Sequence, residues 1–550
     1  MLSKKVLLLL FLNFVVNTVH SQQLFKDVFP GSTDAFRVYP FPFCNSNGLF
    51  FFDGYGSISA GSELWKSDGT SNGTVLVKDI APGTNTSFIR NLTNVNGTLF
   101  FRACTDGNNY TYELWKSDGT PEGTMLVKEI NPGTFGSDPQ NFIALKGNLY
   151  FTADDGVNGV ELWKSDGTAN GTTMVKDIYP GSSNGNPKNF TVFNDEIYFQ
   201  ASAGFSGSNT GETLWKTDGS TAGTVLVSPS SKVGYPEGFV VSNNLLFFSA
   251  RSNTAGRELW KTDGTNFGTM LVKDIFAGST NNGFPQKLMD VNGQLFFFAT
   301  NGTLGFELWK TDGTTAGTEI VKDINIGTKG GYVNTVPDDF TTATLGNQLY
   351  FRADDGVSGA ELWKTDGTTA GTIMIKDINP GLNSSFPNAF INFKDKLYFT
   401  ATDNLNGTEL WTSDGSAAGT VMLKNIFEGS SGSIPYAMHI YKDNLYFSAA
   451  NFQNGRELWS YNGNALGINE ERCNKLKVNI YPNPTSTILI LSVEDNSTID
   501  GIVITDLTGR KIVESAGNTT SINIEKLAKG MYFLQVFSGK EKFQTKFVKE

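Results

Sequence analysis

The chain has 550 residues with 60 Gly, 43 Phe and nine Trp, and 18% charged against 39% hydrophobic residues excludes a disordered chain or a coiled coil and points to a repetitive, β-leaning globular protein. Formal charge is −11; two leader lysines and a last 76 residues with ten basic against eight acidic groups leave residues 22 to 474 at −15, which disfavours nucleic acid and anionic lipid. Two histidines exclude a multi-His metal centre, and the three cysteines, Cys44, Cys104 and Cys473, match no zinc or haem spacing and cannot form a disulfide framework.

Lys4-Lys5, an apolar run from Val6 to Val16 broken only by Asn13, and Val19-His20-Ser21 before Gln22 have the order of a secretory signal, so residues 1–21 are expected to be a cleaved leader. Eleven residues rise only about 16 Å as a helix, short of a bilayer core of about 30 Å. Nothing later runs long enough to span, so no transmembrane segment is expected. Cleavage leaves His439 as the single histidine. It stands in Ala437-Met438-His439-Ile440-Tyr441, where sister units carry Ile143, Thr191 or Ile391, and it reads as structural.

The word Glu-Leu-Trp then recurs, with Trp at 65, 115, 163, 215, 260, 309, 363, 411 and 459. Only the fourth copy is interrupted, as Glu212-Thr213-Leu214-Trp215. A full unit contains Glu361-Leu362-Trp363, Asp366-Gly367-Thr368, Ile373 to Ile378, Pro380-Gly381, Ala389 to Phe393 and Leu397 to Ala401. These short aromatic and β-branched runs between Gly, Pro, Asn and Asp predict four antiparallel strands. One such meander cannot cover its own apolar faces, and a period near 50 predicts a β-propeller-like array of nine units of ~49 residues over residues 22–467, with two smaller rings or an open superhelical stack as alternatives.

The ends of the array are complementary. Leu24-Phe25-Lys26-Asp27-Val28-Phe29-Pro30-Gly31 matches Val77-Lys78-Asp79-Ile80-Ala81-Pro82-Gly83 but has no Trp strand before it, whereas Glu457-Leu458-Trp459 has no such strand after it. One fills the vacancy of the other, which predicts eight or nine blades in a ring closed by the amino-terminal strand.

The Asp-Gly pairs read as hairpin turns rather than calcium loops, because they lack alternating carboxylates. Glu two residues before eight of the nine Trp, and Lys thirteen after many of them (Lys78, Lys128, Lys176, Lys273, Lys322, Lys376, Lys424), are expected to pair across strands. Departures mark candidate ligand contacts. Arg102 and Arg352 occupy a strand position that holds Thr152, Gln200, Ser249, Phe298, Thr400 or Ser448 elsewhere, and Ser228-Pro229-Ser230-Ser231 replaces Lys-Asp-Ile-x-Pro in one unit. No catalytic or metal-ligating residue and no cofactor is assigned.

With these words the array resembles the secreted bacterial repeat family named for its Glu-Leu-Trp-x-x-Asp-Gly-Thr motif (ELWxxDGT), across about residues 24 to 467. That resemblance implies a repeat type without an assigned activity.

From Lys475 the vocabulary changes, after a linker at 468–474. Six short strand-like runs between Ile488 and Val548 predict a small β-sandwich of immunoglobulin-like kind over residues 475–550. Tyr481-Pro482-Asn483-Pro484, Asp506-Leu507-Thr508-Gly509-Arg510-Lys511, Gly530-Met531-Tyr532 and the basic end Lys546-Phe547-Val548-Lys549 resemble the C-terminal sorting domain of type IX secretion in Bacteroidota. The resemblance implies the type IX machinery as partner and a destination outside the cell or on the outer-membrane surface, reached through the periplasm.

The expected function is a secreted or surface-displayed binding protein whose propeller recognises an extracellular glycan or protein. A carboxylate-dependent polysaccharide hydrolase or lyase and a passive structural array are the alternatives. Binding leads because nearly every distinctive carboxylate belongs to the repeat rather than to one asymmetric site.

Overall fold

The computed structural model describes residues 22–550 apart from 31–33, 37–42, 57–60, 109, 134, 205–210, 229–231, 332–341, 464–477, 494–497, 507–509, 518–519 and 539–540. The leader at 1–21, the linker at 468–474, Cys473 and Gly509 therefore lie outside the described residues. The chain divides into two compact units, one spanning His20–Gly463 and one that includes Asn464–Glu550. Among the described residues every regular element is a β-strand, and no helix is long and apolar enough to cross a membrane.

The first unit contains nine four-stranded antiparallel sheets among its described residues. The third is representative: Gln140–Leu145, Asn148–Asp154, Val160–Ser165 and Thr173–Lys176 pair in sequence order. The Trp strand forms its outer hairpin because Asp-Gly-Thr folds back on itself. Asp166 Oδ1 accepts the Thr168 N–H at 2.8 Å and its hydroxyl at 2.7 Å, while Gly167 takes a φ of 89° that a side chain would resist. Ser165 and Thr172 then join hydroxyls at 2.8 Å across the turn.

Leu and Trp are adjacent on this strand and face opposite sides of the sheet, so each sheet buries both faces. The Leu of one sheet and the Trp of the next share one core. Leu64 lies with Trp115, Leu114 with Trp163, Leu162 with Trp215, and so on to Leu410 with Trp459. The last pair is Leu458 with Trp65, which joins the ninth sheet to the first. The ninth sheet consists of Tyr436–Tyr441, Asn444–Asn451 and Gly455–Tyr461, and its outer strand is Gln23–Lys26, with Leu24 opposite Trp459. The cycle of contacts thus has no free end.

His439 lies at this junction. Its Nε2 meets Asn45 Oδ1 at 2.7 Å, its ring packs on Phe43 and Phe50, and burial pushes the imidazole pKa down to about 4. Cys44 and Cys104 are unpaired thiols, each pushed up to about 11 by burial.

The expected Glu and Lys pairing does not occur. Glu161 is fully buried, its Oε2 accepting the Ile178 N–H at 2.8 Å and its Oε1 those of Tyr179 at 3.3 Å and Gly185 at 2.7 Å. It clamps the connection from its own sheet to the next. Lys176 points the other way, donating to Thr224 O at 2.9 Å and lying 5.9 Å from the Trp215 ring centroid, both in the following sheet. The carboxylate meets three converging backbone donors that lack any other acceptor, and the ammonium gains a carbonyl and an aromatic face. Neither group needs the other.

The second unit has a three-stranded sheet (Val478–Tyr481, Ile488–Val493, Ser521–Asn523) and a four-stranded sheet (Lys511–Ala516, Gly501–Thr505, Gly530–Ser538, Glu541–Lys549). Leu489 and Leu491 of one and Ile502, Ile504, Leu534, Val536 and Phe547 of the other form a single core. Motif residues fasten its ends. Asn483 accepts the Val548 N–H at 2.9 Å and donates to Lys546 O at 3.3 Å, Asp506 holds Arg510 Nε at 3.1 Å, and the Tyr532 hydroxyl donates to Ala528 O at 2.9 Å. Tyr481 is half exposed, Lys549 is buried, and Pro482 and Pro484 follow cis peptide bonds.

Candidate functional site

Antiparallel meanders put the loops between second and third strands, and the connections between sheets, at one end of the first unit, with the Asp-Gly-Thr turns at the other. Nearly identical sheets give nearly identical loops, so a ligand site is sought where the repeat fails. It fails most in the fourth sheet (Lys188–Phe193, Glu196–Ala201, Thr213–Thr217, Val225–Leu226).

Eight repeats hold a buried Glu at the clamp position. In the fourth, Thr213 stands there, opposite Ala201 as Glu161 stands opposite Ala153, and its hydroxyl accepts the Trp215 indole N–H at 3.0 Å. The following connection is also shorter. The next non-glycine residue with positive φ comes 23 positions after Trp163 at Asn186, but 20 after Trp215 at Tyr235. Fewer N–H groups are left for a clamp to hold, and the carboxylate has moved one residue upstream. Because side chains alternate along a strand, that shift turns it to the other side.

Glu212 thereby lines a pocket of about 420 Å³ between the third and fourth sheets, with Asp138, Asn141, Thr152, Asp154 and Lys188. Lys188 Nζ lies 2.8 Å from Glu212 Oε1, and Gln200 Nε2 donates to its Oε2. Asp138 is held by the Arg102 guanidinium on one oxygen and by Gln140 Nε2 at 2.5 Å on the other. Asp154 Oδ1 accepts the Gly156 N–H at 2.7 Å. Asn141, at a φ of 55° in a bulge of the inner strand, donates to Thr152 Oγ1 and to Pro187 O, both at 3.3 Å, and so ties the two sheets together beneath the opening. Three carboxylates are fixed in place before any ligand arrives.

The sequence-predicted arginines divide. Arg102 stands behind this wall, its guanidinium 4.3 Å from the Tyr112 ring centroid and bound to Asp138, so it orients a lining residue without lining the pocket itself. Arg352 belongs to the seventh sheet, is 4% exposed and lies 5.9 Å from the Phe386 ring centroid. The pocket does not bring the two together. Two other holders of the same strand position do serve it: Thr152 lines it and Gln200 supports Glu212. Glu212 itself was visible in the sequence only as the interruption of the fourth motif. Among the described residues no three His, Cys, Asp or Glu side chains are grouped to hold a metal ion.

No curated protein matches the sequence. Among solved structures, similarity at low identity extends to puromycin hydrolase (12% identity, TM-score 0.39, 77% of this chain and 61% of that one) and to oligopeptidase B from Leishmania major (12%, 0.34, 65% and 53%). It extends also to PorZ, a surface component of the type-IX secretion system of Porphyromonas gingivalis (12%, 0.32, 92% and 75%). The chain covers 56% and 61% of the two puromycin hydrolase structures it matches. Residues 479–550 match the family of secretion system C-terminal sorting domains, so the second unit carries a sorting tail of type IX secretion.

Proposed function

We propose that the protein is an exported binding protein: a nine-bladed β-propeller, closed by its amino-terminal strand, that presents a glycan- or protein-binding loop face outside the cell. The domains of this reading are a leader at 1–21, the propeller at 22–467, a linker at 468–474 and an immunoglobulin-like sorting domain at 475–550. The sorting tail indicates export to the cell surface or the extracellular space. The closed cycle from Leu458 to Trp65 supports the ring.

The observation that carries binding is the asymmetric, polar pocket beside the fourth sheet, where the repeat gives up a clamp and places a carboxylate on a pocket wall. A fold alone would not carry it. Each wall carboxylate is already engaged by a donor, which suits a rigid recognition surface better than a proton shuttle. The test is a glycan array probed with the secreted protein, with a reducing-sugar assay run in parallel. Retention without new reducing ends is expected; release of reducing ends would move the protein to the hydrolases, and products with new unsaturation to the lyases.

A further inference from the structure

We propose that the pocket between the third and fourth sheets is a subsite for an uncharged, hydroxyl-rich saccharide, with Glu212 as its principal acceptor. This deepens, and rests on, the reading of the protein as an exported binding protein.

The chemistry of the wall sets the ligand class. A carboxylate offers about four acceptor sites, and a sugar presents hydroxyl donors in adjacent pairs. Glu212 spends one direction on Lys188 and one on Gln200, and Asp138 one each on Arg102 and Gln140, so both keep acceptor capacity. Thr152 and Asn141 add groups that donate as well as accept, as a hydroxyl ligand requires of its partners.

Charge narrows the class further. Asp138, Asp154 and Glu212 stand against Arg102 and Lys188, leaving the wall at −1, within an array that is strongly acidic. Uronates and sulfated sugars meet repulsion there. An ammonium gains little, because two of the three carboxylates already hold a cation. The volume of about 420 Å³ suits a sugar of one or two rings. Pro187 and Val160 supply the apolar patches for a ring face.

The supporting groups are rigid. Gln200 and Thr152 lie on second strands, Lys188 and Asn141 on inner strands, and Asn141 is fixed to both sheets. Such preorganisation lowers the ordering cost that weakens polar recognition in water. The loss of the buried clamp in this repeat alone is the kind of local exception found where function overrides stability.

The experiment is calorimetric titration of the full secreted protein with neutral cello-, xylo-, manno- and galacto-oligosaccharides, and with oligogalacturonate and heparin fragments as acidic counterparts. Binding of at least one neutral series is expected, with no binding of the acidic ones. Glu212→Ala and Thr152→Val should each weaken it at least tenfold with an unchanged circular dichroism spectrum. Thr408→Ala, at the position in the eighth repeat that matches Glu212, should leave it unchanged. Neutral binding that survives both pocket variants would overturn the subsite and leave the broader binding reading standing. Binding of the acidic series only would overturn the ligand class, and no saccharide binding at all would overturn the proposal and the glycan half of the broader reading together.

Discussion

The backbone N–H of Val28 donates to the Glu457 carboxylate at 2.6 Å, across 429 residues of chain. Every other clamp Glu holds the connection that follows its own Trp strand, as Glu161 does with Ile178. Glu457 has no such connection among the described residues and holds the amino-terminal segment instead. The first residues of the array therefore occupy the place that the ninth repeat leaves empty after its Trp strand.

Deleting residues 22–31 should expose the outer edge of the ninth sheet. It removes the pairing of Leu24 with Trp459, the Val28 bond and the buried Val28 and Phe29 side chains. Amide hydrogen exchange near Trp459 is expected to accelerate, although the cut is far away in sequence. An open stack would show no change there, because its stability passes only between neighbours.

The clamp itself can be weighed. Glu361 accepts Ile378 N at 2.9 Å, Ser385 N at 2.9 Å and the Ser385 hydroxyl at 2.6 Å in a fully buried site. Glu361→Ala strands the buried Ile378 N–H, while the Ser385 N–H keeps Ala360 O at 3.1 Å, so a loss of about 1–3 kcal/mol is expected in urea denaturation. Asp366→Ala, which removes an exposed turn acceptor, should cost about 1 kcal/mol.

Stability should depend on pH in a direction opposite to that of a surface carboxylate. Burial pushes Glu161, Glu258 and Glu307 up to about 7, and Glu63 and Glu457 up to about 8, outweighing their N–H partners. The folded chain then holds protons that the unfolded chain, with carboxyls near their ordinary value of 4.5, has released. Stability is therefore full below that value and falls as pH rises toward 8. The turn aspartates, such as Asp166, are lowered by their Thr partners and act on the other limb, favouring the fold above about pH 4 and failing it below. Melting temperature should peak near pH 5 and decline by pH 8.5, and Glu307→Gln should flatten the decline. A midpoint that rises from pH 5 to 8.5 would contradict this assignment.

The tail should hold the address. Deleting residues 475–550 removes the matched sorting domain, whose core contains no residue of the array. The truncated protein is expected in the periplasm, folded, and absent from the medium and the cell surface. Its appearance in the medium at normal levels would refute the sorting role.

The strand pattern was legible because it repeats: Trp, Asp-Gly and aromatic runs return in register, and the unmatched words at Leu24 and Trp459 announced their pairing. The partners of Glu and Lys were not legible. Both sit on strands, but Glu161 is satisfied by a loop 17 to 24 residues on and Lys176 by a different repeat 48 residues on, and neither relation follows from strand spacing. The pocket was hidden for a related reason. A one-residue shift from Thr213 to Glu212 reads as drift until the pleat shows that it reverses the side the carboxylate faces. Arg102 drew notice as an odd residue, and the structure places it one contact behind the wall, through Asp138.

Because Gln23–Lys26 completes the sheet of Gly455–Tyr461, the earliest strand of the array to leave the ribosome waits for the latest. No partial product can finish its own circle, and the slow search for so remote a partner postpones full rigidity. The ring stays open until nearly the whole length of the array has emerged.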